Sequence, residues 1–238
     1  MSLICAHAAG ADLGPENSLQ AAQASLESLE AQDLIEIDIQ ETSDGHPVLI
    51  HGDIIDGIRF AIGQSSTVRD TTLHDLRLHH PGLATLEEMI KLISGRCGLV
   101  LDVKDPKINV GKLREVVGNR YSTEVYLTAA NHSILKAGQE EVPNWKRVAQ
   151  CRTATKGQIN RAIEECSPAV IDVWPPFLSR EKVRYIKSIG LDFVPGGMPE
   201  PFSRFGDNPN KVRNYVRWGA QYIVTSNPAI TRQIIYGH

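Results

Sequence analysis

The sequence predicts a (β/α)8 TIM barrel with a small insertion after strand 2, and three observations point there. Short β-rich apolar runs alternate with helix-like segments along the whole chain. Eight such runs occur, more than an open doubly wound sheet usually carries, and 238 residues is a common length for one barrel. A single domain over residues 1–238 is therefore expected.

The elements follow in chain order. Leu3-Ile4-Cys5-Ala6 is strand 1, and residues 18–29 form the first helix. Before that helix, Asn17 suits the capping position and Glu16 faces the barrel mouth. Strand 2, residues 34–39, alternates: residues two apart in an extended chain share a face, so Ile35, Ile37 and Ile39 point one way and Glu36 and Asp38 the other. Residues 41–84 are too many for a simple strand-to-helix connection. A Ser43-Asp44-Gly45 turn and the apolar Pro47-Val48-Leu49-Ile50 make a hairpin arm there that ends at His51. Long insertions after barrel strands lie over the active face. Thr85 and Glu88 form a capping box that starts a helix over 86–94. Strands at 98–103, 124–127, 147–151, 170–173, 193–195 and 222–225 then alternate with helices at 110–117, 133–140, 158–166, 180–188 and 209–218, and a helix at 229–235 closes the series. No internal repeat or low-complexity linker interrupts it.

Composition excludes several classes. With 25 basic residues against 28 acidic ones, a formal charge of -3 and no basic run, neither nucleic acid nor an anionic membrane is an expected partner. Cys5, Cys97, Cys151 and Cys166 lack CxxC spacing and read as buried free thiols. No apolar run approaches the roughly 18 residues that span a bilayer. The start Met1-Ser2-Leu3-Ile4-Cys5 is too short for a signal segment, so a cytoplasmic location is expected.

Barrel strands deliver their functional side chains at their C-terminal ends. His7 ends strand 1, Glu36 and Asp38 end strand 2, and Asp102 with Lys104, again two apart, end the third barrel strand. Carboxylates crowded on one face repel unless a cation or donors lie between them, so Glu36, Asp38 and Asp102 offer oxygen ligands to one hard divalent metal, Mg2+ or Ca2+. Lys104 adds a positive charge for an anion, and the His7 and His51 imidazoles suit proton transfer near neutrality. Acids for a metal, a cation for an anion and two proton carriers describe phosphoryl chemistry better than sugar or carbonyl chemistry. Trp174, after the sixth barrel strand, lies on the same rim and either walls the substrate pocket or packs the core. Trp145 and Trp218 read as packing residues. His46, His74, His79, His80, His132 and His238 read as surface or loop residues.

The same residues carry a family resemblance. His7, Pro15-Glu16-Asn17-Ser18, Ile35-Glu36-Ile37-Asp38, Thr42-Ser43-Asp44-Gly45, Val48-Leu49-Ile50-His51, Thr85-Leu86-Glu87-Glu88 and Leu101-Asp102-Val103-Lys104 follow one another as in the glycerophosphodiester phosphodiesterase family, which this chain resembles. Toward the C-terminus the resemblance thins to Thr225-Ser226-Asn227-Pro228, similar to that family's Thr-Asp-x-Pro signature with the acid replaced. The resemblance implies a TIM barrel with one divalent metal, His7 and His51 as general acid and base, Glu36 and Asp38 as metal ligands and Lys104 as a phosphate contact.

Four departures stand out. Asp102 replaces the usual third-ligand glutamate, one methylene shorter. Ala8 follows His7 where the family usually has a phosphate-gripping arginine. Gly52 follows His51, with Asp53 shifted one place from the family's aspartate. Pro195-Gly196-Gly197-Met198 replaces a tryptophan motif, and its glycines could present N–H groups to an anion. The expected activity is metal-dependent hydrolysis of a small phosphodiester to an alcohol and glycerol phosphate, with Glu16 and Trp174 beside Lys104 as substrate contacts. The alternatives are a sugar-phosphate diester as substrate, or a barrel that binds a phosphorylated ligand without turnover.

Overall fold

The computed structural model describes residues 2–52, 67–118, 124–196 and 208–237. Eight parallel strands form its centre: β1 (Leu3–Ala6), β2 (Leu34–Glu41), β4 (Gly98–Val103), β5 (Val125–Ala129), β6 (Lys146–Gln150), β7 (Val170–Val173), β8 (Asp192–Pro195) and β9 (Tyr222–Thr225). Their spatial order is β8-β7-β6-β5-β4-β2-β1-β9. The two outer strands of that order meet where the Gln221 N–H donates to the Phe193 carbonyl at 2.9 Å, so the sheet curls into a nearly closed TIM barrel. Helices α1 (Leu19–Ser25), α2 (Leu73–His79), α3 (Leu86–Ile93), α4 (Val110–Val117), α5 (His132–Glu141), α6 (Lys156–Cys166), α7 (Arg180–Ser188), α8 (Pro209–Arg217) and α9 (Pro228–Tyr236) lie between the strands.

Strand alternation sorts the core into two layers. Ile35, Ile37, Ile39, Leu99, Leu101, Leu127 and Ile171 face outward into the layer shared with the helices. The residues between them face inward, where Cys5, Leu34, Val100, Tyr126, Val148, Val170, Val194 and Tyr222, one from each strand, fill the barrel floor. Trp145 and Trp218 pack partly buried against the outer layer, and all four cysteines are buried and outside any disulfide. No helix among the described residues is long and apolar enough to cross a membrane.

Three elements depart from the sequence reading. Strand β2 runs on to Glu41, so Glu36 and Asp38 lie within the strand rather than at its end. The extension exists because β3 (Pro47–Leu49) pairs antiparallel with it, Ile39 opposite Leu49 and Glu41 opposite Pro47. Helix α1 stops at Ser25 instead of reaching 29, and its cap is Ser18, whose side chain accepts from the Ala21 N–H. Asn17 is not the cap. The insertion also holds α2, capped by Thr72 and absent from the sequence reading. Arg69, just before it, grips the buried Asp105 carboxylate with Nε at 2.9 Å and Nη2 at 2.6 Å, tying the insertion to the end of β4. Elsewhere the Thr85–Glu88 capping box forms as expected.

At the barrel floor Arg232 of α9 donates to the Ser28 carbonyl at 2.9 Å and to Glu30 at 2.6 Å, and pairs with buried Asp33. The other Asp33 oxygen accepts from the Ile4 N–H at 2.9 Å. One carboxylate thereby joins the last helix to the first strand beside the closing edge.

Candidate active site

Two residues beyond the apolar floor, the inward row turns polar. Cys5 leads to His7, Leu34 to Glu36 and Asp38, Val100 to Asp102 and Lys104, Tyr126 to Thr128, Val148 to Gln150 and Arg152, and Val170 to Asp172 and Trp174. All of these polar residues, with Glu16 and His51, line one cavity of about 470 Å3 at the C-terminal mouth. Each of the eight residues expected to act in catalysis, metal binding or substrate contact thus lines the same cavity. Thr128, Gln150, Arg152 and Asp172 were missed, although the same two-residue step along β5, β6 and β7 would have found them.

The loop after β1 is held in a costly shape. Ala8 and Ala9 have φ of 47° and 67°, a left-handed region that L-residues with a Cβ avoid. Four hydrogen bonds hold it: Gly10 N–H to the His7 carbonyl at 2.7 Å, Asn17 N–H to the Ala8 carbonyl at 2.8 Å, Ser25 Oγ to the Ala9 carbonyl at 2.8 Å, and Ala8 N–H to Glu36 Oε2 at 2.7 Å. Gly10 has φ of 105°, and a Cβ there would lie 2.1 Å from Ser25 Oγ, so glycine is required on both counts. His7 thereby sits on a rigid turn above Glu36. His51 is exposed at the cavity mouth, after the β3 arm. Its segment is held by Gln40, whose Nε2 donates to the Gly52 carbonyl at 2.7 Å and the Ile50 carbonyl at 3.3 Å, while the Ile50 N–H reaches the Asp38 carbonyl at 3.0 Å.

Glu36, Asp38 and Asp102 converge, each offering an oxygen within 4.8 Å of the others. Asp38 and Asp102 stand side by side in the β2–β4 register. Ca2+ ligands lie at about 2.3–2.6 Å, so three oxygens at that mutual spacing would suit an ion of this size. The shorter Asp102 therefore still reaches a common centre. Asp38 Oδ1 is buried and has no hydrogen-bond partner among the described residues, only the Lys104 ammonium at ion-pair distance, so it is open to a ligand. A set made only of carboxylate oxygens suits a hard divalent cation.

Lys104 reaches into the same cluster. Its Nζ lies 2.5 Å from Asp102 Oδ2 and 3.0 Å from Asp38 Oδ1, the second an ion-pair distance without hydrogen-bond alignment. Although burial opposes its charge, the Asp102, Asp38 and Glu36 carboxylates hold the ammonium well above the usual lysine range. Burial pushes Glu36 well above the carboxylate range, helped by the charges of Asp38 and Asp102. Burial likewise raises Asp102, against the pull of Lys104 and with the push of Asp38. Burial would raise Asp38 too, but Lys104, the Asn17 amide and the two histidines outweigh it and hold it below its ordinary value. Asp38 is the anionic anchor of the cluster.

Asn17 is what holds that anchor. Its Nδ2 donates to Asp38 Oδ2 at 2.8 Å and its Oδ1 accepts the Asp38 N–H at 2.9 Å, while its backbone takes a φ of 57° that asparagine tolerates. Gln150 plays a parallel part for Asp102, donating to its oxygens at 3.1 and 3.0 Å. Asn17→Gly keeps the backbone shape and deletes the clamp, so it should lower the affinity for a divalent cation by roughly 10–100-fold in a calorimetric titration. Unchanged affinity would show that Asp38 needs no such support.

One expected anion donor is not available. The Gly196 N–H donates to the Val173 carbonyl at 2.9 Å, continuing the sheet, and Gly197 lies outside the described residues, as do Asp53 and His238. Glu16 and Trp174 border the mouth, and the Arg152 guanidinium stacks on the Trp174 ring at 4.8 Å from its centroid.

Comparison with known proteins adds three kinds of likeness. The sequence profile of the glycerophosphoryl diester phosphodiesterase family matches residues 7–164. A glycerophosphodiester phosphodiesterase of Caldanaerobacter subterraneus subsp. tengcongensis is 24% identical over 248 aligned residues, covering 95% of this chain and 95% of that protein. A phosphodiesterase of Oleispira antarctica, solved in complex with the product sn-glycerol-3-phosphate, superposes with a TM-score of 0.81 at 18% identity, covering 98% of this chain and 96% of that one. A glycerophosphodiester phosphodiesterase from Thermotoga maritima gives 0.73 at 16% identity, over 97% and 96% of the two chains.

Proposed function

This chain belongs to the glycerophosphoryl diester phosphodiesterase family of phosphoric diester hydrolases, and from that premise we propose that it cleaves a small glycerophosphodiester into an alcohol and glycerol phosphate. Glu36, Asp38 and Asp102 hold one divalent cation, Mg2+ or Ca2+, and His7 and His51 are the acid and base. The observation that carries this reading is the convergence of three carboxylates within 4.8 Å, in a cavity that both imidazoles and Lys104 also line.

When bound, the cation supplies Lewis-acid stabilisation of the charge on the phosphoryl oxygens. The chain's own residues do the rest. Glu36 is aimed by the Ala8 N–H, Asp38 by Asn17 and Asp102 by Gln150, so the three carboxylates are oriented before substrate arrives. Lys104, a compact cation on a flexible stem, meets a non-bridging oxygen from the same rim. One imidazole takes the proton of the attacking water and the other protonates the departing alkoxide, tasks that suit a side chain whose ordinary pKa lies near neutrality. Glu16 and Trp174 border the substrate at the mouth. The sn-glycerol-3-phosphate in the Oleispira antarctica neighbour supports glycerol phosphate as the product.

The test is a substrate panel. Glycerophosphocholine, glycerophosphoethanolamine and a sugar–glycerol phosphodiester are incubated with Mg2+, Ca2+ or a chelator, and products are read by phosphorus NMR. Cation-dependent appearance of glycerol phosphate is expected. Tight binding of the diesters without release would instead leave a non-catalytic barrel.

A further inference from the structure

The cavity wall opposite the histidines carries two polar atoms that nothing in the proposed chemistry uses. Thr128 Oγ1 on β5 and Asp172 Oδ1 on β7 are both shut off from solvent, and neither has a hydrogen-bond partner among the described residues. Both residues line the same cavity as the acidic cluster. Buried polar groups are ordinarily paired, so two unpaired ones on residues that line a common cavity mark a place where a ligand brings the partners. Gln150, which stands level with Asp172 in the β6–β7 register, directs its amide N–H groups to Asp102 and serves neither atom.

The place is built rather than accidental. A Cβ at Gly196 would fall 1.8 Å from Asp172 Oδ1 and 2.6 Å from its Cγ, so the carboxyl group occupies the space that any other residue at 196 would take. The glycine is what leaves room for the Asp172 carboxyl. Burial, together with the charge of Asp102, raises the Asp172 carboxyl to about 7, so it can donate as well as accept near neutral pH. A hydroxyl, which also does both, is its natural complement.

The neighbouring charges select among alcohols. An aspartate beside an aromatic ring would suit an ammonium headgroup, but here the Trp174 face is already taken by Arg152, 4.8 Å from the ring centroid. A guanidinium at that point repels a second cation. Glu16 and Ser226, on the other side of the cavity, remain for the glycerol arm. Resting on the phosphodiesterase reading above, we propose that Thr128 and Asp172 form a subsite that hydrogen-bonds the hydroxyls of the departing alcohol, so that the preferred alcohol is an uncharged polyol rather than a cationic amino alcohol.

The experiment compares kcat/KM on glycerophosphoinositol, glycerophosphoglycerol and glycerophosphocholine, with the divalent cation present, for the wild type and for Thr128→Val, Thr128→Ser, Asp172→Ala and Asp172→Asn. The wild type favours the two polyol diesters. Thr128→Val and Asp172→Ala each lower the polyol-to-choline ratio by about tenfold, the scale of one lost hydrogen bond, whereas Thr128→Ser and Asp172→Asn retain most of it. Circular dichroism of each variant shows that the barrel is intact. A wild type that prefers the choline diester, or a ratio that no variant changes, overturns the subsite while the phosphodiesterase reading stands. An equal loss on all three diesters also overturns it, because the contacts then belong to the shared glycerol or to the scaffold. No turnover of any diester sinks the phosphodiesterase reading itself, and the subsite with it.

Discussion

Replacing His7 with Ala lowers kcat by roughly 10²–10⁴-fold, the contribution typical of a positioned acid or base, and His51→Ala does the same. The two imidazoles reach the cavity from different segments, one on the turn after β1 and one after the β3 arm, so neither can stand in for the other. Because they act as a pair, the double variant loses little more than the worse single one. The rate against pH separates their roles: the variant lacking the base loses the acid-side limb, and the one lacking the acid loses the alkaline limb. Near-normal turnover in both single variants would remove the histidines from the mechanism.

Asp38→Ala has the second large effect, at least a 100-fold loss of divalent-cation affinity with activity falling to background. Asp38 is the acid of the cluster that the fold holds as an anion, and it stands beside Lys104 and Asn17. Its removal deletes a ligand and leaves the Lys104 charge with one partner fewer. The other two acids set the pH dependence. Glu36 and Asp102 bind protons more tightly in the fold than an ordinary carboxyl does, so a cation must displace protons to bind. Affinity therefore rises with pH, and calorimetry in buffers of different ionisation heat detects proton release. The stability consequence has a definite sign. Acids whose folded pKa is raised destabilise the fold as pH climbs from the ordinary carboxylate range through the raised value, because the unfolded chain releases those protons first. The gain in Tm on adding the cation should accordingly grow with pH over that window. A gain independent of pH would contradict the assignment of the raised pair.

The strand positions and the acidic row of β2 and β4 were legible because both follow from simple periodicity. Alternation placed Ile35, Ile37 and Ile39 against Glu36 and Asp38, and the barrel has them on the helix side and the cavity side respectively. The far wall was not read, although the same step leads from Tyr126 to Thr128 and from Val170 to Asp172. Isolated polar residues at strand ends resemble ordinary loop starts until the barrel gathers them. Asn17 was misread for a different reason: an asparagine before a helix is most often a cap, and only the long-range fold brings its amide to Asp38, 21 residues away in sequence. The length of β2 depended on pairing with β3, a non-local contact that residues 34–41 do not announce by themselves.

The central claim is that three carboxylates hold one divalent cation on which diester cleavage depends. Its most direct test adds Mg2+ or Ca2+ stepwise to chelator-stripped protein while phosphorus NMR follows a glycerophosphodiester. No glycerol phosphate should form before the cation is added, and the rate should saturate as a single site fills. Cleavage at the full rate in excess chelator would contradict it.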